Sequence, residues 1–101
     1  MELEAKSVYF FSQQDEDFFF EWIGRIGCIN NVVGRGDTIY IGLDQNAVLE
    51  DEVWEIVAVF RRYRVPLAQL GALDRAGYSR VLRKELRRWS AQKAEDTQEL
   101  E

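Results

Sequence analysis

The chain has 101 residues, with 13 Lys and Arg against 18 Asp and Glu for a formal charge of −5, no histidine and one cysteine. Without an imidazole there is no Ser-His-Asp or Cys-His catalysis, no two-histidine zinc motif and no histidine-ligated haem; one cysteine can close neither an internal disulfide nor a CxxC metal pair. A composition 47% hydrophobic and 13% aromatic excludes a disordered chain, and the apolar runs are too short for a membrane-spanning helix.

In chain order, Ser7 to Phe11 (Ser-Val-Tyr-Phe-Phe) reads as a buried strand from its β-branched and aromatic content. Ser12, with Asp15 three positions on, approximates a capping box. Phe19, Trp22, Ile23 and Ile26 then recur at i, i+3, i+4 and i+7, one face of a helix that Gly24 weakens and Gly27 stops. Cys28–Gly34 and Thr38–Leu43 read as a hairpin turning through Gly34-Arg35-Gly36-Asp37, with Ile39, Ile41 and Leu43 on one face. After a loop at Asp44, Gln45 and Asn46, Val53, Ile56, Val57 and Phe60 repeat the helical spacing. Glu50, Asp51 and Glu52 open that helix and Arg61, Arg62 and Arg64 close it, matching the helix dipole at both ends. Pro66 ends it near Arg64.

Val65–Leu70 has two readings. It is either a fourth strand, confined to a sheet edge by Pro66, or a helical turn begun by Pro66; the strand is preferred. After Gly71, Asp74 is positioned to cap a last helix whose apolar stripe is Tyr78, Val81, Leu82, Leu86 and Trp89. The expectation is a single α+β domain over 1–93, with an acidic frayed tail at 94–101. Its order is β-α-β-β-α-(β)-α: a small mixed or antiparallel sheet of three or four strands with helices packed on it. With the fourth strand this is ferredoxin-like order plus a C-terminal helix, a fold that hosts many functions and selects none. The acidic start, Met1-Glu2-Leu3-Glu4, is no export signal, so a cytoplasmic location is expected.

Charge is segregated along the chain. Residues 1–60 carry a balance of −9, residues 61–93 a balance of +8 and residues 94–101 a balance of −4. The acidic half concentrates in two helix starts, Asp15-Glu16-Asp17 with Glu21 and Glu50-Asp51-Glu52 with Glu55. Dipole matching explains carboxylates at such places; a face for a basic partner is the functional alternative. Phe18, Phe19, Phe20 and Trp22 cannot all face one core, so Phe18 or Phe20 must lie under the sheet edge, under the last helix, or outward. An outward Phe among Asp15, Asp17 and Glu21 is an aromatic anchor ringed by acid. The candidate partner-binding set is therefore Asp15, Glu16, Asp17, Phe18, Phe20, Glu21, Asp51, Glu52 and Glu55. In the basic segment, Arg80, Arg83, Lys84, Arg87 and Arg88 form a stripe able to follow phosphates, the alternative site.

Other motifs are weak. Arg35-Gly36-Asp37 fits a hairpin turn, and Gly34-x-Gly36 lacks the third glycine and helix of a phosphate loop. The carboxylate pairs lack ligand-loop spacing for a metal, and Cys28 has no histidine to activate it and reads as a core residue. No catalytic residue, cofactor or metal is expected. In length, α+β pattern and the clusters Asp15-Glu16-Asp17 and Glu50-Asp51-Glu52, the chain resembles the small acidic immunity proteins encoded beside bacterial toxins, including those of contact-dependent growth inhibition. The resemblance implies a cognate toxin as partner, often a nuclease with a basic cleft, that the protein binds and blocks. The remaining expectations are a nucleic-acid or regulatory module acting through the Arg-rich last helix, and a homo-oligomer in which the acidic half of one chain meets the basic half of another.

Overall fold

A computed structural model describes residues 1–92; the expected acidic tail at 94–101 lies outside the described residues. The chain is α+β: strands β1 (Glu2–Lys6), β2 (Ile29–Arg35) and β3 (Thr38–Leu43) make one antiparallel sheet in the order β1-β3-β2. Helices α1 (Gln13–Gly24), α2 (Glu50–Arg62) and α3 (Arg80–Ala91) are joined by two short 3₁₀ helices, Gln45–Ala47 and Ala68–Leu73. The first two connections form a split β-α-β unit, with β3 inserted between β1 and β2. No helix among the described residues is long and apolar enough to cross a membrane.

The first strand is not where aromatic content placed it. Glu2-Leu3-Glu4-Ala5-Lys6 alternates exposed and buried residues, sending Leu3 and Ala5 into the core. β1 pairs with β3 as far as Lys6 opposite Thr38, and Ser7 N–H to the Asp37 carbonyl (2.7 Å) is the last rung. Beyond it β3 has reached its hairpin turn, so Ser7–Phe11 has no strand to pair with and is irregular, leaving through Ser7 at φ 56°. The turn itself is two residues, Gly36-Asp37, with only Gly36 at positive φ, as a glycine in first place of a tight hairpin turn requires. The expected loop after β3 winds into the first 3₁₀ helix, capped by the Asp44 carboxylate accepting from Asn46 N–H at 3.1 Å.

The fourth strand does not form. Leu67, Leu70 and Leu73 follow a spacing of three, the period of a 3₁₀ helix, and Leu70 and Leu73 are buried. The outer edge of β1 is closed at one rung by a side chain. Glu4 N–H donates to Gln69 Oε1 (2.8 Å) and Gln69 Nε2 donates to the Glu4 carbonyl (2.7 Å), the pair of bonds a neighbouring strand would supply. Gln69→Glu keeps an acceptor but loses the donor. It is expected to lower stability by about 1 kcal/mol and to speed hydrogen exchange at the Glu4 amide; an unchanged Glu4 exchange rate contradicts this pairing.

Helices α1 and α2 face the inner side of the sheet, where Leu3, Ala5, Ile39, Ile41 and Leu43 are buried. α1 contributes Phe19, Ile23 and, just past its end, Ile26; Ser12 Oγ caps it by accepting from Asp15 N–H (3.1 Å), and Asp15 Oδ2 accepts from Phe11 N–H (3.1 Å). α2 buries Val53, Ile56, Val57, Val59 and Phe60. At about 100° per residue these span roughly 160° of its surface, because α2 is also packed against α3. Trp54 meets Trp89 edge-on at 6.4 Å, and Glu50 accepts from Ser79 N–H (2.8 Å) and Oγ–H (2.6 Å). α3 starts later than expected, capped by Ser79 Oγ accepting from Leu82 N–H (3.2 Å). Asp74, the expected cap, pairs with Arg83 instead, and Val81, expected in the apolar stripe, is exposed.

The Ser79 bonds to Glu50, and a weaker one from Trp54 Nε1, hold its carboxyl below the ordinary value of 4.5. Hydrogen bonds from Thr38 and Ser7 do the same for Asp37. A carboxylate depressed in the folded state adds stability that is fully present above its unfolded pKa and is lost as the pH falls through the folded one. The melting temperature is therefore expected to be level near neutrality and to drop below about pH 4.5. Glu50→Gln is expected to flatten that drop, which thermal melts across the pH range check.

α2 ends two residues before the expected Arg64. Val65 N–H reaches back to the Phe60 carbonyl (2.8 Å) and Arg64 N–H to the Arg61 carbonyl (3.3 Å), with Arg64 at φ 60°. This is a helix stop built for glycine, and an L residue there costs roughly 1 kcal/mol.

Candidate functional site

α1 and α2 run antiparallel, and three hydrogen bonds mark their alignment. Tyr63 O–H donates to the Asp15 carbonyl (3.3 Å) at one end, Trp22 Nε1 to Glu55 Oε1 (2.9 Å) in the middle, and Cys28 N–H to Glu52 Oε2 (2.8 Å) at the other. The acidic start of α1 therefore lies beside the basic end of α2, and the acidic start of α2 lies beside the end of α1. The nine candidate residues fall into two groups.

In the first group most groups are already engaged within the fold. Asp15 Oδ2 accepts from Phe11 N–H (3.1 Å), Asp17 Oδ1 accepts from Gln13 Nε2 (3.0 Å), and Glu16 borders Phe20 near the hairpin turn. Phe20, 36% exposed, leans on Phe19 at 5.3 Å and Phe10 at 6.4 Å, so it is a flank of the core next to the sheet. Phe18, 53% exposed, sits roughly 160° around α1 from Phe20, on the side of Trp22. Neither aromatic is buried.

The second group builds a groove. Trp22, Arg25, Ile26, Gly27, Asp51, Glu52 and Glu55 line an open depression of about 430 Å³ between the two helices. Its parts follow from the local sequence. Gly27 ends the α1 region and lets the chain pass close to Glu52, whose Oε2 a Cβ there would meet at 3.0 Å. Glu52 is structural as well as acidic: Oε1 accepts from Leu49 N–H (2.9 Å), holding the first turn of α2, and Oε2 fixes Cys28. Asp51 and Glu55, at i and i+4, are exposed on the same side of α2, and Glu55 orients the Trp22 indole. Arg25, the cation of the groove, is bound to Glu21 at 2.6 Å. Three carboxylates and an indole thus share one depression whose guanidinium is already engaged. That is the chemistry of a site for cationic side chains.

Cys28 lies behind the groove, buried. Burial, and then the Glu52 charge, push its thiol up to about 11. It stays protonated at neutral pH and is no nucleophile. Among the described residues no three acidic or thiol groups come together as a metal site requires.

The basic stripe is partly neutralised from within. Arg83 Nε binds Asp74 at 2.9 Å, Arg87 Nε lies 3.8 Å from the other Asp74 oxygen, and Arg88 pairs with Glu85. Arg80, Arg83, Lys84 and Arg87 line one cleft with Tyr78, and Arg88 lies outside it. Three of the five basic candidates thus have carboxylate partners within the fold.

The most exposed aromatics were missed by the sequence reading. Tyr9 and Phe11 are 70% and 84% exposed and belong to the segment expected as a buried strand. Alternation within Ser7–Phe11 was a signal for this, since Val8 and Phe10 are the residues that pack on the core. No family model, curated protein or solved structure matches the chain.

Proposed function

We infer that the protein is a non-catalytic binding module whose α1–α2 groove receives a basic segment of a protein partner, and that the partner is a toxin it neutralises. One observation carries the first half: Asp51, Glu52 and Glu55 meet Trp22 in a single depression while Arg25 is held by Glu21. An aromatic within an acidic rim suits Lys- and Arg-rich surface. The indole and the exposed Phe18 supply contact area, and the carboxylates steer the encounter and fix its register. The second half rests on the resemblance to immunity proteins.

The test is co-expression with the product of the gene next to this one. The intact protein is expected to protect cells from that product, and the double reversal Asp51→Lys with Glu55→Lys to abolish protection while the protein remains folded. Protection by the reversed protein equal to that of the unaltered one defeats the assignment of the groove. Absence of both protection and binding by the unaltered protein defeats the toxin reading.

A further inference from the structure

We propose that a second cleft, at the opposite end of α2 from the acidic groove, binds a nucleotide: a phosphate carrying a planar base. The cleft encloses about 410 Å³, within the range of small-molecule sites of roughly 300–1,000 Å³. Its cations are Lys6, Arg62 and Arg64, its aromatics are Tyr9, Phe11 and Tyr63, and Asp15 also lines it. Nothing in this inference depends on the toxin reading.

Three independent features meet there. The first is charge. In a chain of net −5, Lys6, Arg62 and Arg64 converge on one cavity, and among the described residues none lies within 4.0 Å of a carboxylate oxygen. The one acid in the cleft, Asp15, already accepts from Phe11 N–H, so its charge is partly answered by the loop it holds. Arg62 and Arg64 have an ordinary role at a helix C-terminus; Lys6 does not.

The second feature is aromatic. Tyr9 and Phe11 stand edge to face at 4.7 Å, outside the core. Exposed aromatic faces beside unpaired cations are the pairing that nucleotides use, the ring stacking on the aromatic and the phosphate taking Lys and Arg. The third feature is backbone conformation. The two non-glycine residues with left-handed backbone among the described residues, Ser7 and Arg64, both line this cleft. Glycine would suit the Arg64 position better. An arginine held there against local preference is explained if its guanidinium is needed on the ligand.

The experiment is a titration of the intact protein, followed by amide NMR, with ATP, with inorganic phosphate and with a six-nucleotide single-stranded oligoadenylate. ATP is expected to shift the resonances of residues 6–11 and 62–64 and to bind at least ten-fold tighter than phosphate. Tyr9→Ala with Phe11→Ala is expected to weaken ATP at least ten-fold. Arg64→Gly is expected to weaken it similarly while raising the melting temperature by a few degrees, because the strain is relieved. Tighter binding of the oligomer than of ATP, at the same residues, assigns the nucleotide to a nucleic-acid strand; tighter ATP binding assigns it to the free pool. Equal binding of phosphate and ATP, shifts confined to α3, or no shift with any probe overturns the proposal.

Discussion

Phe19→Ala is expected to remove about 3–5 kcal/mol of stability, the cost of deleting a large buried aromatic and leaving its cavity. Phe19 is completely buried, and three rings are arranged edge-on around it: Phe10 at 5.4 Å, Phe20 at 5.3 Å and Tyr63 at 4.9 Å. These rings come from the loop after β1, from α1 itself and from the end of α2, so one truncation loosens three segments. A domain of this size holds about 5–15 kcal/mol in total, and the variant is expected to be substantially unfolded on mild warming. Urea denaturation of the two proteins measures the difference. A loss below about 1 kcal/mol is incompatible with Phe19 at the centre of the core.

Gly71→Ala is expected to cost about 1–3 kcal/mol through overpacking. Gly71 lies in the second 3₁₀ helix, pressed against α3. A Cβ placed there would stand 2.7 Å from Ser90 Cβ and 2.8 Å from Ser90 Oγ. The hydroxyl can rotate away; the Cβ is fixed to the helix backbone and cannot. The double variant Gly71→Ala with Ser90→Gly is therefore expected to recover most of the loss. Ser90→Gly alone should cost less than the roughly 0.5–1 kcal/mol of a mid-helix glycine, because Ser90 is next to last in α3. Equal damage with and without Ser90→Gly contradicts close approach of these two elements.

The helical half of the fold was legible because its signals are periodic and long. Phe19, Ile23 and Ile26, and Val53, Ile56, Val57 and Phe60, lie where the 3.6-residue spacing puts them, and Ser12 caps as expected. β3 was legible from Ile39, Ile41 and Leu43. β1 was not, because Glu-Leu-Glu-Ala-Lys is rich in charge and carries only Leu3 and Ala5 for the core. The neighbouring run of Val, Tyr, Phe and Phe has stronger strand propensity but no partner, since β3 turns at Gly36. Propensity describes a segment, whereas pairing depends on where a distant strand ends. The residues Val65–Leu70 misled for a similar reason: Pro66 is compatible with both readings, and Gln69 supplies with one side chain what a strand supplies with its backbone.

The candidate site was legible as residue types and illegible as a surface. Acid at two helix starts is visible in the sequence, but which acids share a depression depends on helix direction and register. Trp22 and Glu55 are separated by 33 positions, and their hydrogen bond creates the groove wall. Glu52 shows the limit of counting charge. It is one of the expected partner-binding acids, and both its oxygens already hold backbone N–H groups. Asp51 makes no side-chain hydrogen bond or ion pair among the described residues, and Glu55 keeps Oε2 beyond its bond to Trp22, which makes them the residues to reverse.

The measurement that tests the central claim most directly is calorimetric affinity for the purified neighbouring gene product at low salt. It compares the unaltered protein with two charge reversals: Asp51→Lys with Glu55→Lys in the groove, and Glu16→Lys with Asp17→Lys at the other end of α1. The groove reversal is expected to weaken binding about 100-fold, and the distant reversal, equal in charge change, less than about 5-fold. Equal weakening by both reversals means that net charge alone attracts the partner, and would contradict a specific acidic groove between α1 and α2.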